Sequence, residues 1–288
     1  MTIFLNLRTA STGGAVAAGF PFVEGNGLVD RLAMSPIAPE EVVRRSEGRD
    51  ILFAVHGFNV DRKKGIHLYS RLEQALQGLE STALMIGVLW PGDFWIPAVN
   101  YPWEFSDAVT CGNRVAQFVK AHLDGKNIAF VSHSLGARVV LQALKTLPDR
   151  PTIPAAMGAA AVDDNCLSTQ QYQSVLSDKS RIGVLASRKD QVLRVAYRLG
   201  DWVSDAILGD DDAPGNQALG YHGPRPRDGR IDYGQINPTA NNGLGYGHND
   251  YFPSPDLKVG DGAAGNSIRF LYEALRGAQH SSNPADWT

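Results

Sequence analysis

Ile128-Ala-Phe-Val-Ser-His-Ser-Leu-Gly-Ala-Arg-Val-Val140 is the stretch on which the fold turns. Its opening is a short apolar run of strand character, and from Leu135 onward apolar residues recur at helical spacing. A buried strand therefore runs straight into a helix, with Ser134 at the joint. The residues two before and two after it, Ser132 and Gly136, are small, as they must be where strand and helix backbones close on a tight turn. Ser132 replaces the first glycine of the G-x-S-x-G pattern and is still small enough for that turn. A helix beginning at the serine aims its first free amides, Leu135 foremost, at charge developing on a bound carbonyl oxygen. A serine before an apolar helix can equally be a plain N-cap, so a second motif is needed.

Working outward, short apolar runs alternate with longer amphipathic stretches, the pattern of βαβ units on a mostly parallel sheet. Ile51–Val55, Leu84–Leu89, Ile128–Val131, Ala155–Val162 and Ile182–Ala186 read as strands covered on both faces. Leu68–Leu79, Phe105–Leu123, Leu135–Leu147, Thr169–Leu176, Gln191–Leu199 and Asn266–Leu275 read as helices. Ile3–Leu7 is expected to begin an antiparallel edge, and Ile231–Ile236 to be a strand within an otherwise loop-like region. The second motif, His56-Gly-Phe-Asn59, follows the first strong strand at once. A His-Gly pair there is suited to supply a second oxyanion-binding amide, that of Phe58, with His56 bracing the loop rather than acting as a base.

On these two motifs the sequence resembles the α/β-hydrolase superfamily, and within it a little-characterised bacterial branch with HGFN after one strand and SHSxG at the elbow. The resemblance covers roughly residues 50 to 275. It implies an α/β fold with a mostly parallel central sheet of about eight strands, helices on both faces, and catalytic loops at the carboxyl ends of the strands. It also implies the chain order Ser, acid, His.

A serine hydroxyl becomes nucleophilic when an imidazole takes its proton, and a carboxylate must hold that imidazole in one tautomer. Asp190, in the polar loop after Ile182–Ala186, occupies the place of the superfamily's acid. Its rivals are Asp163 and Asp164, and its plain alternative is a helix cap. Among the histidines beyond it, His248 lies in Gly245-Tyr-Gly-His-Asn-Asp-Tyr251, where flanking glycines let an imidazole reach both partners. His222, in a Gly-Pro turn, is the rival for the base, and His280 belongs to the tail. His133 is expected to point away from the nucleophile and pack under the sheet end.

Trp90-Pro-Gly-Asp-Phe-Trp-Ile-Pro97 and Tyr101-Pro-Trp103 follow another strand's carboxyl end, the edge at which open α/β sheets bind ligands. Phe94, Trp95, Tyr101 and Trp103 are the candidate substrate wall, although aromatics there can also simply cover the core. Residues 1–279 read as one α/β-hydrolase domain with a Gly/Pro/Asn-rich insertion at about 200–247, placed to act as a lid, and 280–288 as a flexible tail. The Asp210–Asp212 run reads as a solvated loop rather than a metal site.

Composition narrows the function. The 288 residues are 43% hydrophobic and 20% charged, enough for a sizeable core. The net charge of −3, with scattered basic residues, argues against a nucleic-acid partner. Two cysteines, Cys111 and Cys166, make neither a disulfide framework nor a zinc site. No signal-like leader or membrane span is read, so a cytoplasmic protein is expected. The reading is a serine hydrolase needing no cofactor or metal: Ser134 nucleophile, His248 base, Asp190 acid, and the Phe58 and Leu135 amides as oxyanion hole. A carboxylesterase acting on small or medium acyl esters is expected, with an amidase or a catalytically silent binding scaffold as alternatives. Oligomeric state leaves no mark in the sequence.

Overall fold

Nine strands form one sheet in the computed structural model, which describes residues 1–93, 101–147, 153–177, 181–195, 217–236, 238, 243–253 and 263–277, with backbone alone at 101–105 and 263–265. In chain order they are β1 (Thr2–Asn6), β2 (Phe22–Gly25), β3 (Met34–Ile37), β4 (Ile51–Val55), β5 (Leu84–Leu89), β6 (Ile128–His133), β7 (Pro154–Gly158), β8 (Arg181–Ala186) and β9 (Ile231–Gln235). Across the sheet the order is β3-β2-β1-β5-β4-β6-β7-β8-β9. From β1 to β9 every neighbouring pair is parallel, and the antiparallel pairings join β1 to β2 and β2 to β3. This is an α/β-hydrolase fold.

The central strands are apolar throughout because helices cover both faces. Every residue of β4 and β5 is buried, and Phe53 stacks on Phe130 of β6 with ring centroids 5.4 Å apart. Each such ring contributes about 1.5–3 kcal/mol through removal from water. Four main helices are α1 (Pro39–Arg45), α2 (Arg62–Gly78), α3 (Tyr101–His122) and α4 (Gly136–Thr146), followed by the C-terminal helix Ala263–Leu275. α2 packs on β5, β1 and the C-terminal helix, which in turn covers β7 and β8; α3 and α4 pack on each other, and α4 on β4 and β6. Asp61 caps α2 by accepting from the Lys64 amide at 2.8 Å.

β4 is flanked by β5 on one side and β6 on the other, so the connections leaving it in sequence run first one way and then back across the sheet. At such a switch point the loops after neighbouring strands separate and leave a crevice at the carboxyl edge. Both motif-bearing turns, after β4 and after β6, open there.

Several expectations are corrected. β1 does begin the antiparallel edge, pairing with β2, but its other side joins β5 in parallel. β7 ends at Gly158 instead of running to Val162: Ala159 takes φ 48°, and the chain bends so that the Ala161 amide donates to the Ser134 carbonyl at 3.1 Å. Thr169–Leu176 is not a helix but a short 3₁₀ turn, Gln173–Val175. There Ser168 and Thr169 hydroxyls bond the backbone carbonyls of Asn165 and Cys166, an alternative to helical pairing. The described part of the expected insertion, 217–236, 238 and 243–247, holds the short helix Leu219–His222 and β9. Residues 196–216, including Asp210–Asp212, and the tail with His280 lie outside the described residues. Cys111 and Cys166 are buried and not joined in a disulfide.

Candidate active site

The turn from β6 into α4 places Ser134 at φ 53°, a left-handed backbone that side chains rarely adopt. Three main-chain bonds hold it: its amide donates to the Gly158 carbonyl (3.0 Å), and its carbonyl accepts from Ala137 (3.0 Å) and Ala161 (3.1 Å). The small residues of the motif have a visible purpose. A β-carbon on Gly136 would come within 2.5 Å of the His56 carbonyl oxygen, so α4 can start against β4 only with glycine there. Ser132 is fully buried, and its hydroxyl has no hydrogen-bond partner among the described residues.

Ser134 Oγ donates to Nε2 of His248 at 2.9 Å, and Nδ1 of the same ring donates to Oδ2 of Asp190 at 2.8 Å. The carboxylate fixes the tautomer and leaves Nε2 as an acceptor for the serine proton. Asp190 is fully buried, and its other oxygen accepts from the Leu193 amide at 3.0 Å. Cap and partner are thus two ends of one side chain: the helical turn at 191–195 orients the carboxylate that meets the imidazole. The loop carrying His248 is fixed by the Ser187 hydroxyl on the Tyr246 carbonyl (2.8 Å) and the Ser267 hydroxyl on the Tyr251 carbonyl (2.8 Å).

The rival residues find each other instead. Nδ1 of His222 lies 3.1 Å from Asp164, and Arg225 lies 3.2 Å from its other oxygen. Neither His222 nor Asp164 bonds Ser134. Burial raises the Asp164 pKa against the pull of Arg225 and His222.

Gly57 lies directly against the serine, with Asn59 beyond it at φ 60° and its amide on the Gly92 carbonyl at 2.6 Å. Among the described residues, the amides of Phe58 and Leu135 donate to no protein group. His56 is fully buried; Nδ1 donates to the Gly57 carbonyl at 2.8 Å, and the ring stacks on Trp90 at 5.7 Å. Trp90 in turn donates from Nε1 to the His56 carbonyl at 2.8 Å, so this aromatic lines the core.

Residues 38–217 match the profile of a family described as alpha/beta hydrolase of unknown function (DUF900). The chain belongs to this family. It is also similar to the crystal structure of Aspergillus fumigatus lipase B, at 12% identity and a TM-score of 0.41, over 95% of this chain and 68% of that one. No curated protein matches the sequence.

In this alpha/beta hydrolase, several contributors to the site escape sequence reasoning. His133 does not point away under the sheet. It is buried, and Nε2 donates to the His248 carbonyl at 2.6 Å. Its pKa is lowered to about 3 by burial first and then by His248, and burial lowers that of His56 to about 3 as well. Arg8 and Asp93 form a buried ion pair, with Arg8 also donating to the Trp90 carbonyl (2.8 Å) and the Val60 carbonyl (3.1 Å). That pair ties the segment after β1 to those after β4 and β5. Phe94 and Trp95 lie outside the described residues, and Tyr101 and Trp103 are described by their backbone at the start of α3. Among the described residues no helix is long and apolar enough to cross a membrane, and no group of three His, Cys, Asp or Glu could hold a metal ion.

Proposed function

We propose that this alpha/beta hydrolase is a serine carboxylesterase acting on small or medium acyl esters. The observation that carries the reading is the continuous relay Ser134–His248–Asp190, with contacts of 2.9 and 2.8 Å beside two amides that have no protein acceptor among the described residues. Ser134 Oγ attacks the ester carbonyl as its proton passes to His248 Nε2. The carbonyl oxygen, now an anion, receives hydrogen bonds from the Phe58 and Leu135 amides. Collapse expels the alcohol, which takes the proton from His248 and leaves an acyl-serine. Water then attacks with its proton going to His248, and the tetrahedral species releases the acid and returns the proton to Ser134. Asp190 holds the ring and balances its positive charge at both steps. Every step is proton transfer and addition to a carbonyl, for which these side chains suffice without a cofactor.

Phe94, Trp95, Tyr101 and Trp103 belong to this reading as an apolar wall for the acyl or alcohol group, because in sequence they follow the carboxyl end of β5, the edge at which such sheets bind ligands. The test is a panel of p-nitrophenyl acetate, butyrate and octanoate, a p-nitroanilide, and a fluorophosphonate probe. Ester turnover and labelling that vanish in Ser134→Ala support the proposal. Preferential anilide cleavage would make the protein an amidase, and a folded wild type silent throughout would make it a binding scaffold.

A further inference from the structure

The described part of the loop bearing His248, residues 243–253, has no regular secondary structure, and Gly243 and Gly245 take φ 85° and 69°. Its two serine anchors act on Tyr246 and Tyr251, on either side of the base. One anchor acts on the base residue itself, and it comes from the neighbour of the nucleophile. Nε2 of His133 reaches the main-chain carbonyl of His248 at 2.6 Å, and the ring packs 4.9 Å from the His248 ring, 5.6 Å from Phe252 and 6.1 Å from Tyr251. On its other side the ring meets the turn after β4: a β-carbon on Gly57 would lie 3.1 Å from His133 Nδ1. One buried imidazole thus spans from the oxyanion loop to the base loop.

We propose that His133 is a positioning residue, which fixes the distance from the His248 ring to Ser134 by donating a hydrogen bond to the His248 carbonyl. The inference rests on the esterase reading for its kinetic consequence but not for its geometric one. Because a carbonyl only accepts, Nε2 must carry a proton, and the ring must be the neutral Nε2–H tautomer for it to do so without charge. Neutrality matters because a second cation 4.9 Å from the His248 ring would oppose the imidazolium formed during each proton transfer. Burial keeps His133 uncharged well below neutrality. Since β6 carries His133 and Ser134 consecutively, any shift of the elbow moves the nucleophile and the base anchor together. The separation across the reacting pair is thereby held even where the base loop itself is irregular.

The test compares His133→Leu, which keeps bulk and removes the donor, with His133→Gln, whose side-chain amide can donate from near the Nε2 position. For p-nitrophenyl butyrate the expected result is a fall in kcat of roughly 30- to 100-fold in His133→Leu, the scale of a small misplacement of a reacting group, with KM changed less than twofold. His133→Gln is expected within about threefold of wild type. In parallel, the low-field proton signal of His248 Nδ1–H, paired with Asp190, should weaken in His133→Leu and persist in His133→Gln, with melting temperatures used to confirm folding. Equal damage in both variants would overturn the proposal in favour of simple packing, as would a full-strength signal in His133→Leu. If wild type turns over no ester, the esterase reading fails, and the proton signal still decides the role of His133.

Discussion

A methyl group on Gly57 would stand 2.7 Å from the β-carbon of Ser134, closer than such atoms ever come. The turn after β4 and the turn after β6 are therefore in backbone contact, and that contact sets the spacing between the Phe58 amide and the serine oxygen. Gly57→Ala must push the two turns apart. Losing one oxyanion donor costs about 100- to 1000-fold in kcat, and that is the expected drop in ester turnover. The overpacking should cost about 1–3 kcal/mol of stability, read from urea unfolding. Unchanged turnover in Gly57→Ala would remove the Phe58 amide from the proposed oxyanion hole.

Asp190 and Asp164, both buried, make opposite forecasts. Asp190→Asn loses the carboxylate that fixes the His248 tautomer, and kcat is expected to fall by about three orders of magnitude or more. Asp164→Asn acts on the pairing of His222 and Arg225, away from Ser134, and should leave kcat within about tenfold. A matching pair, His248→Ala against His222→Ala, should divide in the same way. Steady-state kinetics on all four variants checks the assignment, and reversal of either pair would transfer the role.

Stability should depend on the neutral state of His56 and His133. Both have folded-state pKa values lowered to about 3, while the unfolded chain binds their protons near 6.5. The unfolded state thus holds more protons below that value, so the stabilisation is fully present above about pH 6.5 and declines as pH falls toward 3. At pH 5 each ring should have cost about 2 kcal/mol relative to neutrality. Urea midpoints at pH 7.5 and 5 measure this loss, and the difference between wild type and His133→Gln isolates one ring from the carboxylates that titrate alongside. Parallel pH profiles for the two proteins would contradict the burial argument.

Arg8 and Asp93 are buried charges whose removal should be felt. The side chains are 0% and 3% exposed, and Asp93 also accepts from the Gly13 amide at 3.0 Å. Arg8→Met leaves a carboxylate stranded in the interior and is expected to lose about 3–5 kcal/mol. Arg8→Met combined with Asp93→Asn removes the stranded charge and should recover part of that. Chemical denaturation of the single and double variants checks it, and additive losses would mean that the two residues act independently.

The central sheet was legible because strands buried on both faces carry continuous apolar runs, and β4 through β8 are such strands. β2 and β3 left no comparable signal. They are four residues each, partly exposed, and β3 contains Pro36, which the sheet accepts because the strand lies at its edge. The grouping of Ser134, Asp190 and His248 was readable from motif order and from loops that follow strands. Contacts such as Arg8 with Asp93 or His133 with His248 join residues 85 and 115 positions apart, and no local pattern announces them. The place of His133 is hidden from the sequence for a physical reason: its alternation along β6 says which face of the sheet it leaves, but not that a distant loop folds down to accept its hydrogen bond.

The left-handed backbone at Ser134 has an evolutionary corollary. A residue with a β-carbon is strained there by about 1–3 kcal/mol, whereas glycine is at ease, less the freedom it gains when unfolded. The sturdiest version of this turn is therefore one with no hydroxyl to offer. Laboratory selection for heat resistance alone would drift toward glycine at position 134, and only a screen that demands chemistry would keep the serine in place.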